Sequence, residues 1–339
     1  MTAGACFEFR PRLRLRIVGD RRVLAHFAAE YGSATADDVA APVEVEARYG
    51  DARSNGRAPD DLLLCGGHKT VRWEVALLRP GAGPLRTSLR LSGYPRPFAL
   101  SLTQGYVVEP LLSVAAAANG LVLLPSAGIG GESGVTVLLG RSGTGKSSLT
   151  ARALAAGRPV LGDDQILIDA SGRCWSFPRR MRFYSDLPLT APSAYARLGR
   201  GARAALLARK GVRSATRGFV APPIRVRPTD LGAAQPAGAF DVARVAVIER
   251  SSDAASLEIV SLSGAQAATH AVATLEEQRA KLDAPRGSAW HVRLDRARAD
   301  ERDVLSAFFE QVPVERIAVP RDWPAPRAID ALADALRIE

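Results

Sequence analysis

The chain has 339 residues, 47% of them hydrophobic and 24% charged, without a long polar or low-complexity tract. That length supports one large or two modest cores, and the composition excludes a disordered or fibrous protein. Cys6, Cys65 and Cys174 lack metal-ligand or C-x-x-C spacing, which excludes a disulfide framework and points to reduced thiols in the cytoplasm. The formal charge is +10, yet residues 179–227 alone hold twelve Arg or Lys against the single acid Asp186. Arginine outnumbers lysine 41 to 4, which weakens the reading of any one arginine and strengthens that of a lysine.

Taken in order, the N-terminal MTAGACFEFRPRLRLR has no apolar core of signal-peptide length, so secretion is not expected. Residues 7–18 alternate as a strand, 21–31 have the spacing of an amphipathic helix, and 43–47 form another strand candidate. The runs 71–78 and 85–91 flank the turn-rich RPGAGP and suggest a hairpin, with His68 of CGGHK in a turn before it. A helix near 109–118 leads to the strand LVLL. The stretch 111–131 is free of charge, but Asn119-Gly120 and Pro125 divide it, so a buried segment is expected rather than a membrane span.

A second domain is expected from about residue 121, with a strand at 135–139, a glycine loop, a helix from Lys146 to about 156, and a strand at 158–162. Later strands are predicted at 242–248, 257–260, 290–294 and 314–319, and helices at 264–282, 300–311 and 326–338. The fold class is therefore α/β: a mixed-sheet domain at 121–339, interrupted by a basic segment at 179–228, after a smaller β-rich α+β domain at 1–120.

Gly140, Gly145, Lys146 and Ser147 satisfy the phosphate-loop pattern G-x-x-x-x-G-K-[ST]. The backbone of Gly140, Ser142, Gly143, Thr144 and Gly145, with the helix start at Lys146, Ser147 and Ser148, would cradle phosphate oxygens through N–H groups and the positive helix end. Lys146 would reach the β- and γ-phosphates, and the Ser147 hydroxyl would ligate Mg²⁺. Seventeen positions after Lys146 come Asp163 and Asp164, at the end of the next apolar strand. One helix and one turn would return that strand beside the first, placing two carboxylates near the phosphates. There they would hold Mg²⁺ or take a proton from an attacking hydroxyl.

From Leu138 to Asp169 this arrangement resembles the catalytic domain of bacterial HPr kinase/phosphorylase, and VARVAVIE at 242–249 resembles a later strand of that fold more weakly. The resemblance implies a phosphoenolpyruvate-carboxykinase-like P-loop fold that phosphorylates a serine hydroxyl. It implies that Lys146 and Ser147 handle ATP and Mg²⁺, and that one of Asp163 and Asp164, Asp163 by preference, is the general base. The family carries a histidine before the loop strand, whereas no His lies between Ala117 and Lys146 here; Arg217-Gly218 lacks the acid of the glutamate-arginine-glycine signature, and the proline-arginine-asparagine signature is missing. The comparison thus extends to relatives that modify other acceptors, such as lasso-peptide kinases.

The expected partner is a peptide or small-protein acceptor, recruited by a cationic segment in which Arg179, Arg180 or Arg217 could stabilise phosphoryl charge. Phe183, Tyr184 and Tyr195 are interleaved with arginines, but no nucleic-acid recognition motif accompanies them. A small-molecule kinase of the shikimate or adenylate type and a nucleotide-binding sensor stay open as alternatives, as does the oligomeric state.

Overall fold

The computed structural model describes residues 3–37, 41–50, 63–78, 83–217, 222–234, 236–283 and 286–338. Packing divides the chain into one unit of Met1–Leu123 with Val272–Leu305, and another of Leu124–Ala271 with Ser306–Glu339. Both are mixed α/β structures. The boundary expected at 120 falls after Leu123, and 272–305, placed by sequence in the second domain, packs with the first unit.

The first unit begins with the strands β1 (Ala3–Phe9) and β2 (Leu13–Gly19), an antiparallel hairpin where one strand was expected over 7–18. Helix α1 (Arg21–Tyr31) follows, capped by the Asp20 carboxylate, which accepts the N–H groups of Arg22 and Val23 at 2.8 and 2.9 Å. Then come β3 (Thr35–Ala36), β4 (Val43–Tyr49), β5 (Leu63–His68), β6 (Val71–Leu77) and β7 (Leu85–Ser92). Strict alternation in β2, β6 and β7 buries every second residue, so one sheet face is core. The sheet order is β3-β1-β2-β4-β7-β6-β5, parallel at β2/β4 and β4/β7. The expected hairpin is β6/β7, although residues 79–82 of its RPGAGP turn lie outside the described residues. His68 ends β5 rather than lying in a turn, its ring edge-on to Tyr106 at 5.6 Å.

Helices α2 (Arg96–Thr103) and α3 (Glu109–Ala117) are joined by a π-helical turn at Gln104–Val108. By length and composition Arg96–Ala117 could cross a membrane, but 72% of its apolar window is buried within the protein. The unit boundary falls at the end of β8 (Leu121–Leu124).

In the second unit, β9 (Ser126–Gly131) and β10 (Gly134–Leu139) form an antiparallel hairpin that feeds α4 (Lys146–Ala155) and then β11 (Val160–Gly162). The hairpin β12 (Ile166–Asp169)/β13 (Arg173–Ser176) precedes a separate two-stranded sheet. That small sheet pairs β14 (Met181–Phe183) with β15 (Ile224–Val226), and between them in sequence lie α5 (Leu187–Thr190), α6 (Pro192–Arg197) and α7 (Arg200–Ala215). The long β16 (Ala239–Ser251) is parallel to β10 and, over its last seven residues, to β18 (Val314–Pro320). β17 (Glu258–Leu262) pairs antiparallel with β18 on that side. Helices α8 (Gly264–Arg279) and α9 (Ala289–Gln311) cross the unit boundaries, and α10 (Ala325–Leu336) closes the chain.

Two expectations are corrected. Residues 290–294 are helical, not a strand: Trp290, Leu294 and Ala297 are buried at helical spacing, and the Ser288 hydroxyl accepts the His291 N–H at 3.1 Å. The strand carrying the aspartates does not return beside β10, because β9 lies between, antiparallel to both. The core of this unit joins the main sheet, through Ile129, Leu138, Val160, Ile248 and Val319, to α4, α5, α6, α7, α10 and the β14/β15 sheet, through Leu149, Phe183, Leu206 and Leu332.

Candidate functional site

The loop 140–145 links β10 to α4, and the first helical bonds run from the Ser148 and Leu149 N–H groups to the Gly145 carbonyl, both at 3.0 Å. The N–H groups ahead of them have no intrahelical acceptor and sit at the positive end of α4, an arrangement that suits an anion. Gly145 has φ +106°, a backbone conformation that L side chains rarely adopt, so the turn into α4 favours glycine.

Lys146 is half-buried, and its Nζ donates to the carbonyls of Gly140 and Arg141, the latter at 3.0 Å. Burial lowers its pKa, while the charges of Asp164 and Asp163 act in the opposite sense. Thr144 turns its hydroxyl to the Arg141 carbonyl at 3.0 Å, and Ser148 donates to the Thr190 hydroxyl at 3.0 Å. Ser147 is half-buried in the first turn of α4, whereas Ser142 and Gly143 are exposed at the loop tip.

The aspartates lie in a tight turn after β11. A Cβ at Gly162 would overlap the Gln165 carbonyl oxygen, so this turn closes only with glycine before the pair. The end of β11 is also pinned by the Ser176 hydroxyl, which donates to the Leu161 carbonyl at 2.7 Å. Asp163 is 2% exposed and accepts the Arg182 N–H at 3.0 Å. Burial pushes its carboxyl well above the usual range, and the Asp164 charge pushes it further, against the opposing pull of Arg179 and Lys146. Asp164 is more open, its side chain 34% exposed, and pairs with Arg179 Nη1 at 3.7 Å and Arg182 Nη1 at 3.9 Å.

The charges of Asp163 and Asp164 act on Lys146 despite the intervening β9. Of the arginines expected to contribute, Arg179 joins the pair. Arg217 lies instead in the wall of a groove beside α7, and Gly218 is outside the described residues.

Several residues had no distinguishing sequence signal. Arg182 holds Asp163 through its backbone and Asp164 through its side chain. The Tyr184 hydroxyl pKa is raised by burial and then by Asp164 and Asp163, which places it in their field. Arg152, buried on α4, donates to the Thr190 carbonyl at 2.7 Å and pairs with Asp330, tying the loop's helix to α5 and α10. In so arginine-rich a chain, no single arginine stands out by composition.

Among the described residues no group of three or more His, Cys, Asp or Glu is placed to hold a metal ion. The donor set of Ser147, Asp163 and Asp164 consists of hard oxygens, which fits Mg²⁺ completed by phosphate and water. Chemically, the arrangement can seat a polyanion at a helix start beside a lysine. A carboxyl of raised proton affinity, Asp163, lies within reach of that lysine's charge. No family model matches the chain, and no curated protein matches it.

Proposed function

We propose that the chain is an ATP- and Mg²⁺-dependent kinase that moves the γ-phosphoryl group to a hydroxyl, a Ser or Thr of a peptide or small protein, in the manner of the HPr-kinase-like domain it resembles. One observation carries this reading: Lys146, at the start of α4 in the phosphate-loop pattern, lies in the electrostatic field of both Asp163 and Asp164. A loop alone would support nucleotide binding; a buried carboxylate beside it supports transfer.

The loop N–H groups and Lys146 would hold the phosphates and offset the negative charge of the transition state. Ser147 and the more exposed Asp164, with Asp163 behind it, would hold Mg²⁺, which when bound would supply neutralisation of phosphate charge. Asp163 would take the acceptor's hydroxyl proton as that oxygen bonds to the γ-phosphorus and the β,γ-bridging oxygen leaves with ADP. Its raised proton affinity suits this role. Arg179 and Arg182 keep Asp164 in place.

Incubation with γ-labelled ATP and serine-containing peptides tests the reading. Transfer should require Mg²⁺, stop on chelation, and be abolished in Lys146→Ala together with tight ATP binding. Label transfer at the wild-type rate by Lys146→Ala would refute it.

A further inference from the structure

Beside the proposed catalytic centre, wholly within the second unit, α5, α6 and α7 frame an open groove of about 630 Å³. Leu189, Tyr195 and Leu207 contribute apolar wall, while Lys210, Arg213 and Arg217 contribute charge. Leu207, Lys210 and Ser214 recur along α7 at three- and four-residue spacing, and Arg217 follows in the turn after it. Leu189 is 66% exposed and Leu207 60% exposed, and Leu206 is the one residue of α7 that is buried. Exposed apolar side chains and unpaired cations thus share one face of this groove. None of Lys210, Arg213 and Arg217 forms an ion pair among the described residues.

We infer that this groove docks the phosphoryl acceptor, as a peptide segment in which acidic side chains alternate with apolar ones. Charge complementarity decides the sign of the partner, since three cations face the single groove carboxylate of Asp186. The apolar wall decides its class. A nucleic-acid strand needs open aromatic faces for its bases. The groove's one aromatic ring, Tyr195, is met by the Arg203 guanidinium at 5.8 Å and offers no open face for a base. Leucine side chains against Leu189 and Leu207 match the surface instead.

The groove is continuous with the centre along the chain. Ser185 and Asp186 of its lining follow Tyr184, which stands in the field of the aspartate pair. Leu189 immediately precedes Thr190, which accepts hydrogen bonds from Ser148 and Arg152 of α4. A segment bound against α5 would thus enter from the side on which α5 touches the loop's helix. Naming the docked segment as the acceptor rests on the kinase reading; the docking does not.

The test uses the full chain, without nucleotide, and a fluorescein-labelled peptide of alternating Glu and Leu with one Ser, followed by anisotropy. The peptide should bind at low salt and weaken as salt rises. Lys210→Glu combined with Arg213→Glu should weaken it about tenfold. Leu189→Ser should weaken it severalfold, and replacing the peptide's Glu by Gln should mimic the charge reversal. Because the altered residues are exposed, melting curves should be unchanged. No binding, binding insensitive to these substitutions, or tighter binding of a single-stranded oligonucleotide lost in the same variants would overturn the proposal. Phosphoryl transfer is measured separately. Peptide binding without any transfer would overturn the kinase reading and leave the docking site standing.

Discussion

Each unit buries a carboxylate, and the two are treated in opposite ways. In the first unit, Glu301 is 1% exposed, and its oxygens accept from Arg279 Nη2 at 2.5 Å and Ser113 at 2.9 Å. Burial raises its pKa, but Arg279 and Ser113 pull it back. In the second unit, Asp163 is as deeply buried, yet its immediate neighbour is a second carboxylate, which adds to the effect of burial. Desolvation is common to both, so it does not identify a reactive group. The balance of neighbours differs: the leading opposing influence on Glu301 is Arg279 bonded directly to it, whereas on Asp163 the carboxylate of Asp164 outweighs Arg179, and the proposed role of Asp163 rests on that difference.

The largest break in this contrast is expected from Asp163→Asn. Loss of the general base should slow phosphoryl transfer by about 10²- to 10⁴-fold while leaving ATP affinity within a fewfold of wild type. Single-turnover kinetics with labelled ATP, alongside nucleotide titration, measure both; wild-type turnover would remove Asp163 from the mechanism.

Next in size is Arg279→Ala, which leaves Glu301 buried without its counter-charge and should cost about 3–5 kcal/mol of stability with no direct effect on the catalytic centre. Arg279→Leu with Glu301→Leu should recover most of that loss in urea unfolding. If the double substitution is no better than the single one, the ion pair is more than a structural contact.

The smallest effect concerns pH. The folded-state pKa of Asp163 is raised, so its proton stabilises the fold at low pH, and stability is lost as pH rises through the folded value. Asp163→Asn removes that ionisation. The variant should melt about 3 °C above wild type at pH 8 and show little gain near pH 4. An equal shift at both values would mean that the carboxylate does not titrate in the folded protein.

The loop at 140–145, the start of α4 and the aspartate pair were legible because each depends on local chemistry: glycines where backbone turns tightly, a lysine in a chain with few, two acids after an apolar strand. The misread segment at 290–294 shows the limit. Trp290-His291-Val292-Arg293-Leu294 alternates like a strand over five residues, and only burial of Trp290 with Leu294 and Ala297 decides for a helix. Sheet order was hidden for a related reason. Nothing local to β11 states that β9 rather than β10 is its neighbour, since all three are short apolar runs.

By itself, then, the sequence singled out the residues on which the proposed phosphate chemistry rests, because such a pattern is written in spacing along the chain. Tertiary structure decided how they are held. The backbone N–H of Arg182 on Asp163, the guanidinium of Arg179 beside Asp164, and the tie from Arg152 to Thr190 all span many residues. Such contacts have no period or motif, because a hydrogen bond or ion pair depends on distance in space and not on separation in sequence.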